Sequence, residues 1–559
     1  MSEAYLGHDY QPTRPKFQLN SQMYFSRIRS ILFTFTALFI GFPVLALMGS
    51  WLEWNAVSAQ VLSELVQTVL PDYALTSLLL CTGVAIGVTV LGLSTAVAVT
   101  SFKFPGQSFF EWALLLPMAM PAYVVAYAYT DFFQFSGPLQ NFIRSAGSFE
   151  GRAFPEIRSL GGAVFVFSIT LYPYVYLLAR TALSDRTPHL MEAARLLGAP
   201  ISRRIRAVAV PLARPAVAAG VALVLMETLA DFGVSSYFGI QTFTAGIFKA
   251  WLIMDNQVAA AQLATLLLLT VVVLLHFEKL AQARMRFSLT NNSHSLSPEA
   301  QLQVLNKNHG WFICMACAGI VFLGFALPVL LMLKPLLFSD LIVPWGRFLE
   351  WSFNSLRLGV ITAAVAVCLS LIIAFGLRVN ASPFNRLMAQ WVSLGYAIPG
   401  AVVVVGLLIP VMWLQQHWPE STAGYWITAS VLGLIWAYLV RFCAVALQSV
   451  QSGYARVPST LDDSAATLGV FGFGLLRRVH FPLLKRSISA ASLLVFVDVM
   501  KELPATLVLR PFNTDTLAVV AYQLARDERL GEAALPSLAL VCVGLIPVLL
   551  LSRGLRHKT

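Results

Sequence analysis

Long apolar stretches, separated by short polar segments, run through almost the whole chain. A helix needs about 20 mostly apolar residues to cross the hydrocarbon core of a bilayer. Because lipid offers the backbone no hydrogen-bond partners, each such stretch is predicted to be a helix. The pattern therefore predicts an all-α polytopic membrane protein with about 12 transmembrane helices. The expected spans are 31–50, 75–100, 108–130, 161–180, 216–236, 257–277, 311–334, 353–377, 388–413, 425–447, 489–508 and 534–552.

Composition agrees with a bilayer as the solvent. Hydrophobic residues make up 58% of the 559-residue chain, and charged residues only 12%, against about 25% in an ordinary soluble domain. The net charge of +11 would by itself be compatible with nucleic-acid binding. The basic residues, however, are concentrated in short loops between apolar stretches, where they set membrane orientation. Nucleic acid is therefore not expected as a partner.

The distribution of Lys and Arg predicts which side of the membrane each loop faces. Basic residues are frequent in the first 30 residues, in 181–215, in 278–310, in 448–488 and in the C-terminal tail. The segment 51–73 has three acidic residues and no basic one. Since loops rich in Lys and Arg stay in the cytoplasm, both termini are expected there, in agreement with an even number of spans.

The second half of the chain repeats the first. With a shift of 271 residues, the loop 181–215 aligns with the loop 448–488, and the match continues without a gap into the helix that follows each loop. Each half contains six predicted spans. We therefore predict two homologous six-helix units, 1–286 and 309–559, joined by a polar cytoplasmic linker at 287–308.

Both aligned loops contain the same short motif. The first copy reads Glu-Ala-Ala-Arg-Leu-Leu-Gly, which predicts a short helix, a turn at the glycine and a second short helix before the next span. The alanines leave a flat helix surface against which another protein can pack closely. The second copy has Asp in place of Glu and Ser in place of the first Ala. The candidate residues are Glu192, Ala193, Ala194, Gly198 and Pro211 in the first half, and Asp463, Ala465, Gly469 and Pro482 in the second.

This pattern resembles the coupling-loop signature of permease subunits in binding-protein-dependent ABC importers. Two copies at equivalent points of a membrane repeat make the resemblance specific. It implies the type I ABC importer permease fold in the bacterial inner membrane, with both loops docking into an ATPase subunit. It also implies a periplasmic binding protein that delivers the cargo.

The resemblance also implies where ATP is hydrolysed. The chain contains no Gly-x-x-x-x-Gly-Lys-Ser/Thr sequence, and a phosphate-binding loop needs that lysine. The chain is therefore expected not to be an enzyme and to hold no cofactor. ATP and Mg²⁺ would bind to a separate ATPase subunit, expected to be a homodimer that serves both halves.

Two further segments resemble the fused permeases of ferric-iron importers. They are Glu-Thr-Leu-Ala-Asp-Phe-Gly at 227–233, and the stretch 498–518 that begins Asp-Val-Met-Lys-Glu-Leu-Pro. The resemblance implies Fe(III) as cargo, with thiamine, polyamines and phosphonates as alternatives. A secondary transporter driven by an ion gradient is an alternative of another class, since such proteins also use repeats. Their repeats are often inverted, whereas both loops here face the same side.

Four acidic residues lie within two predicted spans. A charge at the bilayer centre costs about 2.5–3.5 kcal/mol on insertion scales, so these residues require an explanation. The four-residue spacing predicts that Glu227 and Asp231 share one helical face, and Asp498 and Glu502 repeat the arrangement. We expect them to line a cation pathway with the hard oxygen donors that Fe(III) prefers. Three alternatives stay open: pairing of Lys501 with Glu502, capping of broken helices, and a position near the cytoplasmic mouth. Whether they bind metal is left open.

Tyrosines and histidines invite a metal-site interpretation that the pattern does not favour. Tyr123, Tyr127 and Tyr129 fit an aromatic belt at the membrane interface. Three histidines are expected at cytoplasmic helix ends or in loops, with anchoring or solvated roles: His276, His309 and His480.

Overall fold

The computed structural model describes residues 16–53, 56–147, 151–289, 303–338 and 344–556. Within these ranges the regular secondary structure is helical except for one pair of two-residue parallel strands, β1 (Phe102–Lys103) and β2 (Gln303–Val304). The predicted all-α membrane fold is thereby confirmed. Residues 290–302 of the predicted linker and both ends of the chain lie outside the described residues, so the unit boundaries remain predictions.

The first half forms long apolar helices and several short ones at the breaks between them. They are α1 (Lys16–Gly49), α2 (Ala56–Gln67), α3 (Leu70–Ser101), α4 (Gln107–Ala113), α5 (Ala122–Phe133), α6 (Pro138–Gly147), α7 (Leu160–Leu196), α8 (Ile201–Arg204), α9 (Val210–Ala230), α10 (Gly233–Tyr237), α11 (Phe243–Phe248) and α12 (Gln257–Leu289). Single 3₁₀ or π turns occupy Ser50–Glu53, Leu116–Ala119, Ile205–Ala209 and Lys249–Ile253.

The second half follows the same plan. Its helices are α13 (Lys307–Val321), α14 (Leu327–Phe338), α15 (Trp345–Val379), α16 (Pro383–Leu394), α17 (Gly400–His417), α18 (Ala423–Thr428), α19 (Val431–Tyr454), α20 (Thr460–Thr467), α21 (Gly472–Leu475), α22 (Phe481–Lys501), α23 (Pro504–Leu509), α24 (Leu517–Arg526) and α25 (Leu530–Arg556). Its 3₁₀ or π turns are Phe322–Ala326, Gly395–Ala397 and Leu476–His480.

Ten helical segments in the described part of the chain are long and apolar enough to cross a membrane. A pair bent by 89°, 107–119 with 122–147, would be the eleventh. The predicted span 489–508 falls on α22 and α23, and α22 is too charged to be counted because it contains Lys485, Arg486, Asp498 and Lys501. The charges that make this helix a weak span are the same ones that make it a candidate for function.

The internal repeat is visible in the order and spacing of the elements. The short helix α8, the π turn Ile205–Ala209, and helices α9 and α10 each begin 271 residues before α21, the π turn Leu476–His480, α22 and α23. Even the π turns, which are rare and often mark functional sites, are repeated at the same position. The two halves therefore share one local fold from α8 to α10 and from α21 to α23.

Each half packs against the other through its first membrane-spanning segment. Helix α1 packs against α15, α16 and α17 of the second half, while α14 packs against α5 of the first. The Phe39 ring stacks on Trp436 at a centroid distance of 4.7 Å. A Cβ atom on Gly406 would lie 2.2 Å from the carbonyl oxygen of Pro43, so α1 and α17 cross where only glycine fits. Small residues at such crossings let helix backbones approach in lipid.

Candidate functional site

A cavity of about 170 Å³ lies between the two halves, at the level where α9 and α22 end. Walls from both halves contribute polar side chains to it. All four acids predicted from the sequence line this one cavity. The polar and charged lining residues are Tyr123, Thr170, Tyr174, Glu227, Asp231, Tyr396, Arg441, Asp498, Lys501 and Glu502.

The predicted shared helical face of each acid pair is wrong, because α9 and α22 end before Asp231 and Glu502. Helix α9 ends at Ala230, and Asp231 is extended, with φ −71° and ψ 131°. Glu502 has φ −70° and ψ 121° directly after α22. The Asp231 carboxylate accepts a hydrogen bond of 2.8 Å from the Val234 N–H at the start of α10. The capping of broken helices, one of the open alternatives, therefore describes both residues.

Glu502 is fully enclosed and accepts several hydrogen bonds. Its Oε1 lies 2.8 Å from an Arg441 guanidinium nitrogen. The N–H groups of Ala505 and Thr506 donate to the same carboxylate at 3.1–3.2 Å, and the Thr506 hydroxyl also donates to it. A Cβ on Gly400 would lie 2.8 Å from Oε1, so the missing side chain makes room for the pair. A buried ion pair is tolerated only when such additional bonds satisfy it.

Lys501 does not pair with Glu502, which was another open alternative. Its ammonium points to the carbonyl oxygen of Met118 at 3.4 Å and interacts electrostatically with Asp498 and Glu227. Arg441 was missed in the sequence analysis. An arginine within the otherwise apolar stretch 431–454 was the available signal, because a charge inside a spanning helix needs a partner.

Glu227 forms a contact between the two halves. The Tyr396 hydroxyl donates a hydrogen bond of 2.9 Å to its Oε1. Tyr396 lies in the 3₁₀ turn that separates α16 from α17, so a helix break again presents a polar group to the cavity. Sequence reasoning did not find this tyrosine, since neither its spacing nor its neighbours distinguish it from an ordinary core aromatic residue.

The two halves contribute unequal charge to the cavity. Arg441 and Lys501 come from the second half, next to its acids. With the shift of 271, the equivalent first-half residues are Thr170 and Ala230, which are uncharged. The cavity therefore has four carboxyl groups and two cationic side chains, and the carboxyl groups that exceed the cations in number come from the first half.

Metal coordination by these acids has no support in the described geometry. Among the residues that the structure describes, no three His, Cys, Asp or Glu side chains form a group that could hold a metal ion. The carboxylates face a common space, but each already interacts with a backbone N–H group, a tyrosine hydroxyl or a cationic side chain. This arrangement is suited to a charged wall, not to a tight chelate.

The tyrosines and one histidine lie elsewhere than expected. Tyr123, Tyr127 and Tyr129 are each at most 4% exposed, so the aromatic-belt prediction is wrong: α5 is surrounded by other helices and has no membrane-facing aromatic side among these residues. The Tyr129 hydroxyl donates to the carbonyl of Leu323 in the π turn of the second half. His480 is fully buried, which excludes the solvated role expected for it.

The predicted coupling motifs form the same helix end in both loops. Gly198 and Gly469 have φ of +76° and +75°, a left-handed conformation that glycine adopts without strain. In the first loop the Gly198 N–H bonds to Arg195 O and the next N–H to Ala194 O. The second loop repeats both bonds at Ala466 and Ala465. This is the Schellman pattern, with the second alanine of the motif supplying the farther carbonyl.

Side chains at these helix ends face outward. Glu192, Ala193 and Asp463 are exposed, and Leu196 and Leu468 are 85% and 81% exposed. Exposed apolar side chains at a helix end favour an interaction surface. Pro211 and Pro482 lie near the start of α9 and α22, where a missing N–H is tolerated.

Part of the chain matches a known protein family. Residues 88–287 match the family described as the binding-protein-dependent transport system inner membrane component. The matched region contains the first coupling motif together with Glu227 and Asp231. This part of the chain is therefore similar to an inner membrane component of binding-protein-dependent transport systems.

Two relatives align with most of the chain. The Fe(3+)-transport system permease protein FbpB 2 of Haemophilus influenzae is 23% identical over 482 residues, which cover 85% of this chain and 88% of the relative. An ABC transporter permease protein of Sinorhizobium fredii is 22% identical over 543 residues, covering 91% of each. A 2-aminoethylphosphonate transport system permease protein of Salmonella typhimurium is 26% identical over 165 residues, covering 29% of this permease and 60% of the relative.

Proposed function

We propose that this permease is the transmembrane subunit of an ATP-driven ferric-iron importer in the bacterial inner membrane, with both termini in the cytoplasm. The observation that carries the proposal is the excess of carboxylates over cationic groups in the central cavity. A passage with net negative charge attracts cations and raises the energy of anions. The similarity to a Fe(3+)-transport permease over 85% of the chain also supports a cation as cargo.

The acids of the first half carry most of this proposal. Glu227 is held by a neutral tyrosine, and Asp231 by a backbone N–H, so neither is neutralised by a hydrogen-bonded cation. They provide hard oxygen atoms without forming a closed ligand set. Conduction requires binding that is strong enough for entry and weak enough for release. Such a wall supports transient contact with Fe(III) delivered by a periplasmic binding protein.

The coupling loops connect this cavity to the ATPase. In the proposed cycle, Glu192, Ala194 and Gly198 dock one ATPase subunit, and Asp463 and Gly469 dock the other. Ala465, also predicted to dock, is buried against Phe375 within this chain and does not belong to that surface. ATP binding draws the two subunits, and hence the two loops, together. The cavity then changes the side to which it opens, because the ATP-bound motor binds one permease conformation better than the other.

Other cargoes and another energy source make different predictions. Thiamine and polyamines are cations and would also be favoured by the cavity charge. A phosphonate would depend on Arg441 and Lys501, but Arg441 is already held by Glu502. An ion-gradient-driven transporter would move its solute without any nucleotide.

Neutral replacements of the cavity acids test the proposal. With the permease, its ATPase and its binding protein reconstituted in liposomes, Glu227→Gln and Asp231→Asn are each expected to lower Fe(III) uptake about tenfold or more, because they remove the excess negative charge. Uptake of radioactive Fe(III) is measured with and without ATP. Asp498→Asn and Glu502→Gln complete the set, with protein yield recorded because they leave Lys501 or Arg441 without its acid.

A matched control is Glu350→Gln, which neutralises an exposed carboxylate outside the cavity and is expected to retain uptake. Wild-type uptake in all four cavity variants would exclude these acids from the mechanism. Uptake of aminoethylphosphonate, thiamine or a polyamine in place of Fe(III) would reassign the cargo. Transport by the permease alone, without nucleotide, would contradict the importer itself.

A further inference from the structure

The two coupling helices are connected to the membrane helices in different ways. In the first half α7 continues without interruption from the membrane to Leu196, so one rigid helix contains the motif. In the second half α19 ends at Tyr454, and α20 begins only at Thr460, after a non-helical segment containing Pro458. We call this non-helical segment the joint. A displacement of α20 would not be transmitted to α19 through the joint unless other contacts bridge it.

A polar cluster that is partly buried bridges the joint. We define the Asp462 cluster as Arg378, Tyr454, Asp462 and His480. Arg378 Nε donates to one Asp462 carboxylate oxygen at 2.8 Å, and His480 Nε2 lies 2.9 Å from the other. The Tyr454 hydroxyl lies 3.2 Å from His480 Nδ1. These four residues come from α15, α19, α20 and the π turn before α22, so one carboxylate on α20 is connected to three membrane elements.

The cluster is enclosed and charged. His480 is fully buried, with its ring edge-on to Tyr454 and Phe375. Burial alone would raise the pKa of Asp462, but hydrogen bonds from Arg378 and His480 hold it below its usual value. Asp462 is therefore ionised at neutral pH, and both its oxygens accept charge-assisted hydrogen bonds. Three residues further along α20, Ala465 is buried in an apolar cluster with Phe375.

The first half has no counterpart of this cluster. With the shift of 271, Asp462, His480 and Tyr454 correspond to apolar residues, and Arg378 corresponds to a threonine at the shift of 278 that relates the ends of α3 and α15. The first-half residues are Met191, Ala209, Leu183 and Thr100. The cluster is thus confined to the half in which the coupling helix is detached.

We propose that the Asp462 cluster is the mechanical connection that makes α20 move as one body with α15, α19 and α22. It replaces the helix continuity that serves the first coupling motif. Asp462, Arg378 and His480 are then positioning residues for transport, acting through α20 and not through contact with the cargo. This inference rests on the proposed docking of the coupling loops to the ATPase.

The consequence is a separation of ATP hydrolysis from transport. When the cluster is broken, the ATPase can still bind the exposed face of α20. The movement of α20 is then absorbed by the non-helical segment between α19 and α20 and does not reach the membrane helices. Asp462→Asn and Arg378→Met are expected to keep ATPase binding within about twofold of wild type, while the amount of Fe(III) transported per ATP falls at least about fivefold. The conservative change Arg378→Lys, which keeps the charge, is expected to retain at least about half of the wild-type ratio.

The experiment uses the reconstituted complex of permease, ATPase and binding protein. ATPase affinity, ATP hydrolysis, Fe(III) uptake and thermal stability are measured on each variant, with Glu350→Gln as the control. Wild-type transport per ATP in both Asp462→Asn and Arg378→Met overturns the inference. Loss of ATPase binding in these variants also overturns it, because the cluster would then shape the docking surface itself. A stable variant with an unchanged affinity and a lowered ratio supports it.

Failure of the proposed function gives a different result. If the wild-type permease neither binds an ATPase nor depends on ATP, the proposed function and the inference are both rejected before any variant is made. If the wild type transports another solute with ATP, the ratio is measured with that solute and the inference is tested unchanged.

Discussion

Arg441→Met is expected to destabilise the folded permease by about 3–5 kcal/mol, because it leaves a buried carboxylate without its cation. The Glu502 side chain is 1% exposed and that of Arg441 10% exposed, so water cannot replace the lost partner. The bonds from Ala505 and Thr506 remain, and they favour the lower part of this range. Unfolding of the purified variant in detergent, followed by heat or denaturant, measures the change. Uptake is expected to be lost as well.

The double replacement Arg441→Met with Glu502→Gln separates charge from packing. Removing both charges leaves no unpaired ion, so the double variant is expected to be markedly more stable than Arg441→Met alone. Arg441→Lys keeps the charge but not the planar guanidinium and should be intermediate. Equal stability of Arg441→Met and the wild type would mean that this ion pair does not contribute to the folded state.

Replacing Gly469 or Gly198 by valine is expected to uncouple the protein from the proposed ATPase subunit while leaving the membrane helices folded. A β-branched residue in the left-handed conformation costs about 1–2 kcal/mol, which corresponds to about 5–30-fold less of the native loop. A Cβ at either position would meet nothing within 4 Å, so the cost arises from the backbone and not from a clash. Co-purification with the ATPase and ATP-dependent uptake measure the loss.

Asparagine at the same two positions is the matched control. It adopts the left-handed conformation more readily than other side chains, so Gly469→Asn and Gly198→Asn are expected to retain most of the coupling. If valine and asparagine variants transported equally well, the turn geometry would not matter for docking. If both failed equally, any side chain at the turn would interfere with the partner.

The two halves differ in two respects although they are homologous. The first half supplies the acids without hydrogen-bonded cations and an unbroken coupling helix. The second half supplies Arg441 and Lys501 next to its acids, and it connects α20 through side chains. In a fused permease the two halves have separate sequences, so each can specialise. The proposed roles accordingly place cargo contact mainly in the first half and adjustable coupling in the second.

The coupling glycines show how far sequence could predict the site. The motif at Gly198 reappears at Gly469, and a turn there follows from glycine alone, since few other residues accept a positive φ. The sequence could not show that the first motif lies on a continuous helix and the second on a detached one. Pro458 was a local signal for the break, but the contacts that compensate it come from Arg378 and His480, which are far apart in the chain.

The sequence by itself determined the all-α membrane fold, the repeat and the two coupling turns, because apolar length, residue identity and glycine geometry are local properties. Only the tertiary structure decided that α9 and α22 end before Asp231 and Glu502, where the carboxylates themselves replace the missing helical bonds. It also decided that Arg441 meets Glu502, 61 residues away. Such pairs depend on how helices pack, and packing brings together side chains whose partners no local pattern specifies.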